Sequence, residues 1–308
     1  MNKKQWGIKR IAGLALLLLG LSICMPNQNA EAMHSTFAPG DVFVSSLSGQ
    51  VEWRHPDGTL NQILINVIPG ASEGMGFDAA GNLYVTHYCA DLSVCLTGNS
   101  VEKFSTSGVS LGSFGSGYWC NPYSIVFDGA GRLYVGQADC TGDIREFNAL
   151  GVFQTAFHVA PDKRGSAKID LASDGCTMFY TSEGPNVKRF NVCANQQLPD
   201  FNSAPIPSGF TFAQRILPDG GVLVASWTEI VRLDAAGTLI QTYDVPGEEY
   251  WVALDLVGDG TFWAASNGSR NVYKFDLANG TVLASFISGT PATTVERNVH
   301  DVDLLVRR

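Results

Sequence analysis

An all-β ring of six blades, a β-propeller, is the fold that this 308-residue sequence predicts, and three observations predict it. A hydrophobic strand, a tight Asp/Gly turn and a second strand ending in Ser, Ala or Thr recur along the chain, with turn glycines at Gly40, Gly81, Gly131, Gly175, Gly220 or Gly221, and Gly260. Their spacing of about 40 to 50 residues, filled only by short strands and turns, is that of propeller blades. Two copies are nearly identical: Phe77-Asp78-Ala79-Ala80-Gly81-Asn82-Leu83-Tyr84-Val85 and Phe127-Asp128-Gly129-Ala130-Gly131-Arg132-Leu133-Tyr134-Val135. Finally, the first blade lacks an innermost strand while the C-terminus offers a spare one.

Lys3, Lys4, Lys9 and Arg10 precede an apolar run from Ile11 to Ile23 and an Ala30-Glu31-Ala32 site. That is the pattern of a secretory signal peptide over residues 1–32. Lipidation at Cys24 is the alternative, and Ile23 stands against it where a small residue is wanted. The run is shorter than the roughly 20 residues that a membrane span needs, and no later segment approaches that length. The expected product is a single six-bladed domain over residues 33–308, secreted or periplasmic, with no membrane span. Loss of Lys3, Lys4, Lys9, Arg10 and Glu31 moves the formal charge from −9 to about −12. Such a charge argues against nucleic acid or anionic membrane as partner and suits a soluble monomer.

In a blade, strand A lines the channel and strand D lies at the outer edge. After the leader the chain reads as strands B, C and D of blade 1, at Val42–Ser46, Gln50–Arg54 and Gln62–Asn66, with His55-Pro56-Asp57-Gly58 as a turn. Blade 2 is predicted at Gly74–Asp78, Leu83–Tyr88, Val101–Ser105 and Ser110–Phe114. Blade 3 follows at Tyr123–Asp128, Leu133–Ala138, Asp143–Asn148 and Phe153–Val159. Blade 4 takes Lys168–Leu171, Thr177–Thr181, Val187–Asn191 and a weak outer strand at Leu198–Phe201. Blade 5 takes Phe212–Leu217, Val222–Ser226, Glu229–Asp234 and Leu239–Tyr243; blade 6 takes Val252–Leu256, Thr261–Ala265, Asn271–Phe275 and Val282–Ile287. Val299–Val306 repeats the pattern of Val252–Leu256, so it is expected to supply the missing strand A of blade 1. Sewing both termini into one blade closes the ring and removes two exposed sheet edges.

On this plan the B-to-C and D-to-A turns share one face, here the upper, and the A-to-B and C-to-D turns share the lower. Cys24 leaves with the leader, and six cysteines remain in an exported chain, which implies disulfides. Cys89 and Cys95 bracket one upper insertion, Cys120 and Cys140 both sit on the upper side of blade 3, and Cys176 and Cys193 on the lower side of blade 4. The three local pairs are mutually consistent. No Cys-x-x-Cys spacing or Cys/His cluster suggests zinc.

The Phe-Asp-x-x-Gly-x-Leu-Tyr-Val repeat, with Asn267-Gly268-Ser269-Arg270-Asn271-Val272-Tyr273-Lys274-Phe275-Asp276 after the sixth turn, resembles the secreted bacterial NHL-repeat propellers and the related gluconolactonase (SMP-30) and streptogramin-lyase propellers. The resemblance covers residues 40–306 and implies the fold far more strongly than a chemistry. It implies that a lactonase-like site would hold a divalent cation, typically calcium, at the upper mouth, on oxygens from the starts of successive A strands. The matching positions are His300, Glu73, Tyr123, Ala167, Phe212 and Val252, of which only Glu73 has the family's chemistry; Met75 replaces the proline of the family's Glu-Gly-Pro. A lyase-like site needs a metal with His and Glu, and Glu73, His87 and His300 are the candidate catalytic set. Deeper in the channel Asp170, Asp255 and Asp303 fall at one level and form a second candidate metal site, although Lys168 and Arg215 can neutralise them without a metal.

Rim aromatics are the remaining signal. Trp119, Trp227, Tyr250 and Trp251 fall at predicted upper loops, with Tyr118 and Tyr88, and together with Tyr123 they are the candidate ligand-binding residues. Trp53 and Trp263, inside strands, are expected to pack between blades. The expected function is an exported scaffold that binds a small molecule, glycan or protein on the upper face. The rival is a metal-dependent lactonase, esterase or lyase.

Overall fold

The computed structural model describes residues 35–64, 70–88, 99–119 and 121–297. The N-terminal residues read as a leader, the segment holding Cys89 and Cys95, Cys120, and the C-terminal residues including His300 and Asp303 lie outside the described residues. Six four-stranded antiparallel sheets form the six blades. β1 (Val42–Ser46), β2 (Val51–Arg54) and β3 (Leu60–Leu64) begin blade 1, and β4 (Ala71–Phe77), β5 (Leu83–Tyr88), β6 (Ser100–Phe104) and β7 (Ser110–Ser113) form blade 2. Blade 3 is β8 (Pro122–Phe127), β9 (Leu133–Gln137), β10 (Ile144–Phe147) and β11 (Phe153–Phe157). Blade 4 is β12 (Lys168–Leu171), β13 (Thr177–Thr181), β14 (Val187–Asn191) and β15 (Gln196–Leu198). Blade 5 is β16 (Thr211–Ile216), β17 (Val222–Ser226), β18 (Ile230–Leu233) and β19 (Leu239–Tyr243). Blade 6 is β20 (Trp251–Leu256), β21 (Thr261–Ser266), β22 (Asn271–Asp276) and β23 (Val282–Ile287), and β24 (Ala292–Arg297) ends the described chain.

β24 pairs with β1 as the innermost strand of blade 1, so a C-terminal strand does close the ring. The segment differs from the expected Val299–Val306. The chain turns directly after β23, and Thr293-Thr294-Val295-Glu296 takes the inner position, Thr294 facing Ser45 and Val295 facing Val44. The more apolar downstream run misled the pattern match; an inner strand faces a polar channel and tolerates Thr and Glu. The outer strand of blade 4 also shifts, to β15, with Phe201 continuing the pairing through its N–H to Val187.

The repeated Asp is a turn device. Asp78 Oδ1 accepts from the N–H groups of Ala80 and Asn82, and Asp128 Oδ1 from those of Ala130 and Arg132. Asp174, Asp219 and Asp259 repeat the bond at later turns. The side chain mimics a backbone turn, and the following glycine takes a positive φ, 78° at Gly81 and 77° at Gly131, that a Cβ would strain.

The core is distributed. Each of six apolar clusters draws on two adjacent blades: Phe43 and Trp53 of blade 1 meet Met75, Leu83 and Phe104 of blade 2, and Tyr134 and Phe157 of blade 3 meet Met178, Tyr180 and Phe190 of blade 4. Alternation puts apolar residues on both faces of every blade, and burying a large side chain stabilises by about 1.5–3 kcal/mol. Trp53 and Trp263 are buried between blades as expected. Trp251 is too, which corrects its reading as a rim residue: it packs with Tyr273 and Phe275 in the blade 5–6 cluster because β20 begins at that residue. Tyr118 is likewise buried, its hydroxyl donating to the Phe114 carbonyl.

The innermost strands β24, β4, β8, β12, β16 and β20 contact one another in that order, and β20 meets β24. Gly74 sets the spacing between blades 2 and 3: a Cβ there would stand 2.5 Å from Ser124 Cα and 2.7 Å from the Tyr123 carbonyl.

Candidate functional site

Five of the six inner strands carry a β-bulge at the same height. The pairing skips at Glu73-Gly74 in β4, Tyr123 in β8, Phe212 in β16, Val252 in β20 and Thr293 in β24. A bulge inserts an unpaired residue and re-aims its side chain. The bulged residues therefore ring the upper mouth. With Ala167, immediately before β12, they are the positions found by aligning turns, except that Thr293 stands where His300 was expected.

Glu73 is the centre of this ring. The residue is 2% exposed, its carboxyl lies beside the Tyr123 phenol, and Oε2 has no hydrogen-bond partner among the described residues. Burial pushes Glu73 up to about 7, against the opposing pull of Lys168 and Arg164. Burial, reinforced by Glu73, holds the Tyr123 phenol well above its ordinary range, so it stays protonated.

Below Glu73 the ring of inner strands is tied by Lys168. Its ammonium donates to the carbonyls of Glu73 (2.9 Å), Thr293 (3.3 Å) and Tyr123 (3.4 Å) and to Thr294 Oγ1 (2.6 Å), and it lies 4.7 Å from the Tyr123 ring centroid. One side chain from blade 4 thus bonds blades 1, 2 and 3. Burial pulls its pKa down while Glu73 pulls it up.

Arg164, on the loop into β12, grips Asp139 with Nε (3.0 Å) and Nη2 (2.6 Å) and Glu183 with Nη1 (2.9 Å). Its guanidinium is 5.4 Å from the Tyr123 ring. Asp139 and Glu183 each sit two residues past the end of a second strand, β9 and β13, on the upper face. Sequence reading missed this triad, and that repeated offset is the signal that would have found it.

Blades 5 and 6 contribute a continuous aromatic shelf. Trp227 stacks on Tyr250 at 4.8 Å, Phe212 meets Tyr250 edge-on at 4.8 Å, and Phe210 extends the shelf at 5.8 Å from Trp227. Trp227 is 41% exposed. Burial, with Glu183 and Glu73 adding to it, raises the Tyr250 phenol, which places that ring beside the carboxylates. Tyr250 (φ 60°) and Glu183 (φ 51°) both hold left-handed backbone, a cost concentrated at the mouth. Phe210 was not counted as a rim residue in the sequence, and Phe212 was placed at the mouth only as an apolar residue at a ligand position. Tyr88 meets the Tyr123 ring at 6.1 Å. Trp119 is 74% exposed on the loop between blades 2 and 3, and no ring contact joins it to the shelf among the described residues.

The other sequence candidates disperse. His87 lies fully buried within blade 2, Nε2 2.9 Å from Glu102 Oε2, and not in the Glu73 cluster. Lower in the channel Arg215 takes the centre of the acidic level, with Nε 3.2 Å from Asp255 and Nη2 3.0 Å from Glu296. Glu296 occupies the position read as Asp303. Asp170 Oδ2 accepts from the Ile216 N–H. A guanidinium thus serves the carboxylates proposed for a metal. At the mouth the fit to calcium also fails: Glu73 is the one carboxylate in the ring of bulged residues, and the nearby inner-strand oxygens hold the Lys168 ammonium. Among the described residues no cluster of three or more metal-ligating side chains occurs.

Cys176 and Cys193 form a disulfide with Cα atoms 5.2 Å apart. Cys140 is exposed on the upper face; its expected partner Cys120, and Cys89 and Cys95, are outside the described residues.

No family model matches the sequence, and no curated protein matches it. Solved structures share the fold. A chain in the crystal structure of a nidogen/laminin complex superposes with a TM-score of 0.67 at 12% identity over 83% of this chain and 97% of that one. A Bacteroides caccae protein of unknown function gives 0.66 at 14% identity over 84% and 98%. Virginiamycin B lyase from Staphylococcus aureus gives 0.52 at 12% identity over 71% of each chain. At such identities the likeness is to the β-propeller fold alone.

Proposed function

We propose that this chain is an exported, non-catalytic binding propeller of the NHL-repeat type that seats a small ligand at its upper mouth, between the aromatic shelf and Glu73. The observation that carries the reading is the Lys168 ammonium, bonded to inner-strand oxygens of three blades where a metal-dependent relative needs its cation. Lewis-acid hydrolysis needs a cation with free oxygen donors facing the reacting carbonyl, and the chain offers an aromatic wall instead. Rings stacked at 4.8 Å with one exposed face suit a sugar or another flat ligand. Export is supported by the leader-like N-terminus and by the Cys176–Cys193 bridge, which persists in an oxidising compartment.

The test titrates residues 33–308 with a panel of monosaccharides, disaccharides and small aromatic compounds, following tryptophan fluorescence. Trp227→Ala should weaken the best ligand at least tenfold, about 1.4 kcal/mol. Metal-dependent lactone or ester turnover abolished by Glu73→Gln would replace this reading with the lactonase or lyase one.

A further inference from the structure

We infer that the ligand of this mouth carries an ammonium or alkylammonium group, directed to Glu73 and flanked by the aromatic shelf. The inference rests on the binding reading above and narrows it to a chemical class. The buried Oε2 of Glu73 is the first observation: an acceptor with no donor among the described residues, in a group that Lys168 and Arg164 face and that lies near Tyr123, Tyr250 and Glu183, costs free energy unless a donor arrives. A protonated amine is such a donor, and its charge complements the carboxylate.

The surrounding charges agree. The Arg164 guanidinium is already engaged by Asp139 and Glu183, and the Lys168 ammonium, although it faces Glu73, places its hydrogen bonds on backbone carbonyls and Thr294 and leaves Oε2 without a donor. The mouth thus sets the Glu73 carboxyl beside an aromatic shelf. Rings attract cations over their faces, best when the cation is alkylated and easily desolvated. The shelf already does so once: the Lys163 ammonium sits 3.5 Å from the centroid of Phe210 at its outer end.

The experiment compares n-butylammonium and tetramethylammonium chloride with the neutral isosteres n-pentanol and neopentane-type alcohols, by calorimetry on residues 33–308 at constant ionic strength. At least one ammonium should bind tenfold or more tighter than its isostere. Glu73→Gln should remove that preference, and Trp227→Ala, a surface change that leaves the core intact, should weaken ammonium binding at least fivefold while Trp227→Phe restores most of it. Equal affinity for charged and neutral probes overturns the inference, as does an ammonium preference indifferent to both Glu73→Gln and Trp227→Ala. Neutral sugars that bind through Trp227 with no ammonium binding would also overturn it, yet leave the binding mouth standing. No ligand of any class at the mouth overturns both.

Discussion

Replacing Lys168 by Met should destabilise the ring in a pH-dependent way. Met keeps the length and packing of the stem but removes the charge that faces Glu73 and the donors to the Glu73, Tyr123 and Thr293 carbonyls. Two costs follow. Carbonyls that lose their donor account for about 1 kcal/mol at any pH. Stranding a buried carboxylate costs more, and breaking a buried charge pair by removing one partner is worth about 3–5 kcal/mol. Lys168 itself is held below its usual pKa by burial, so its removal also relieves a desolvation cost and the loss falls at the lower end.

Glu73 sets the pH window. Burial raises its folded pKa from the ordinary 4.5 to about 7, so the folded state binds the extra proton and the stability this contributes is complete below about 4.5 and lost as pH rises through about 7. Without Lys168 the carboxyl rises further. Urea denaturation of Lys168→Met should therefore show a loss of roughly 1 kcal/mol at pH 5.5 and roughly 3 kcal/mol at pH 8, with an unchanged m-value. The double variant Lys168→Met/Glu73→Gln should recover most of the pH 8 loss. A loss that does not change with pH, or a double variant that merely adds the two single effects, would refute the coupling across the channel.

Deleting residues 292–308 should expose the edge of β1 and cause aggregation or loss of a cooperative transition, whereas deleting 298–308 should leave a monomer that unfolds like the parent in size-exclusion and calorimetric runs. Gly74→Ala should cost about 1–3 kcal/mol, because the added Cβ meets backbone of β8, and a smaller change in denaturation midpoint than Gly129→Ala, which meets nothing, would reject that spacing role. Reducing the Cys176–Cys193 bridge, with its separation of 17 residues, should cost about 2–3 kcal/mol, and mass mapping of the non-reduced chain should recover this pair intact.

The blades were legible because each is punctuated locally. Asp78, Asp128, Asp174, Asp219 and Asp259 bond their own turns, so the turn chemistry is written within a few residues and the period follows from it. Alternation then located nearly every strand. The closing strand was misplaced because its identity depends on a distant partner: Glu296 is worth placing on an inner strand because Arg215, two blades away, receives it. Nothing near residue 296 announces that. The same physics misplaced Trp251, which reads as a rim residue from its loop position and is buried by the neighbouring blade.

The mouth was half legible for a related reason. Aligning turns finds Glu73, Tyr123, Phe212 and Val252 because the bulges recur at one height and a bulge is a local, repeated feature. It does not find what those residues touch. Lys168 lies one position below the ring, and a sequence alignment ranks it as a neighbour able to neutralise the deeper acids. In the fold it reaches upward, across the channel, to backbone oxygens that carry no sequence signature at all. Carbonyl oxygens are the same in every residue, so a site built from them is invisible to motif reading, and only the geometry tells a cation pocket awaiting a metal from one filled by the chain's own ammonium. For that reason the ligand positions of the resembling enzymes could be transferred one by one onto this sequence, whereas the contacts of Lys168 could not.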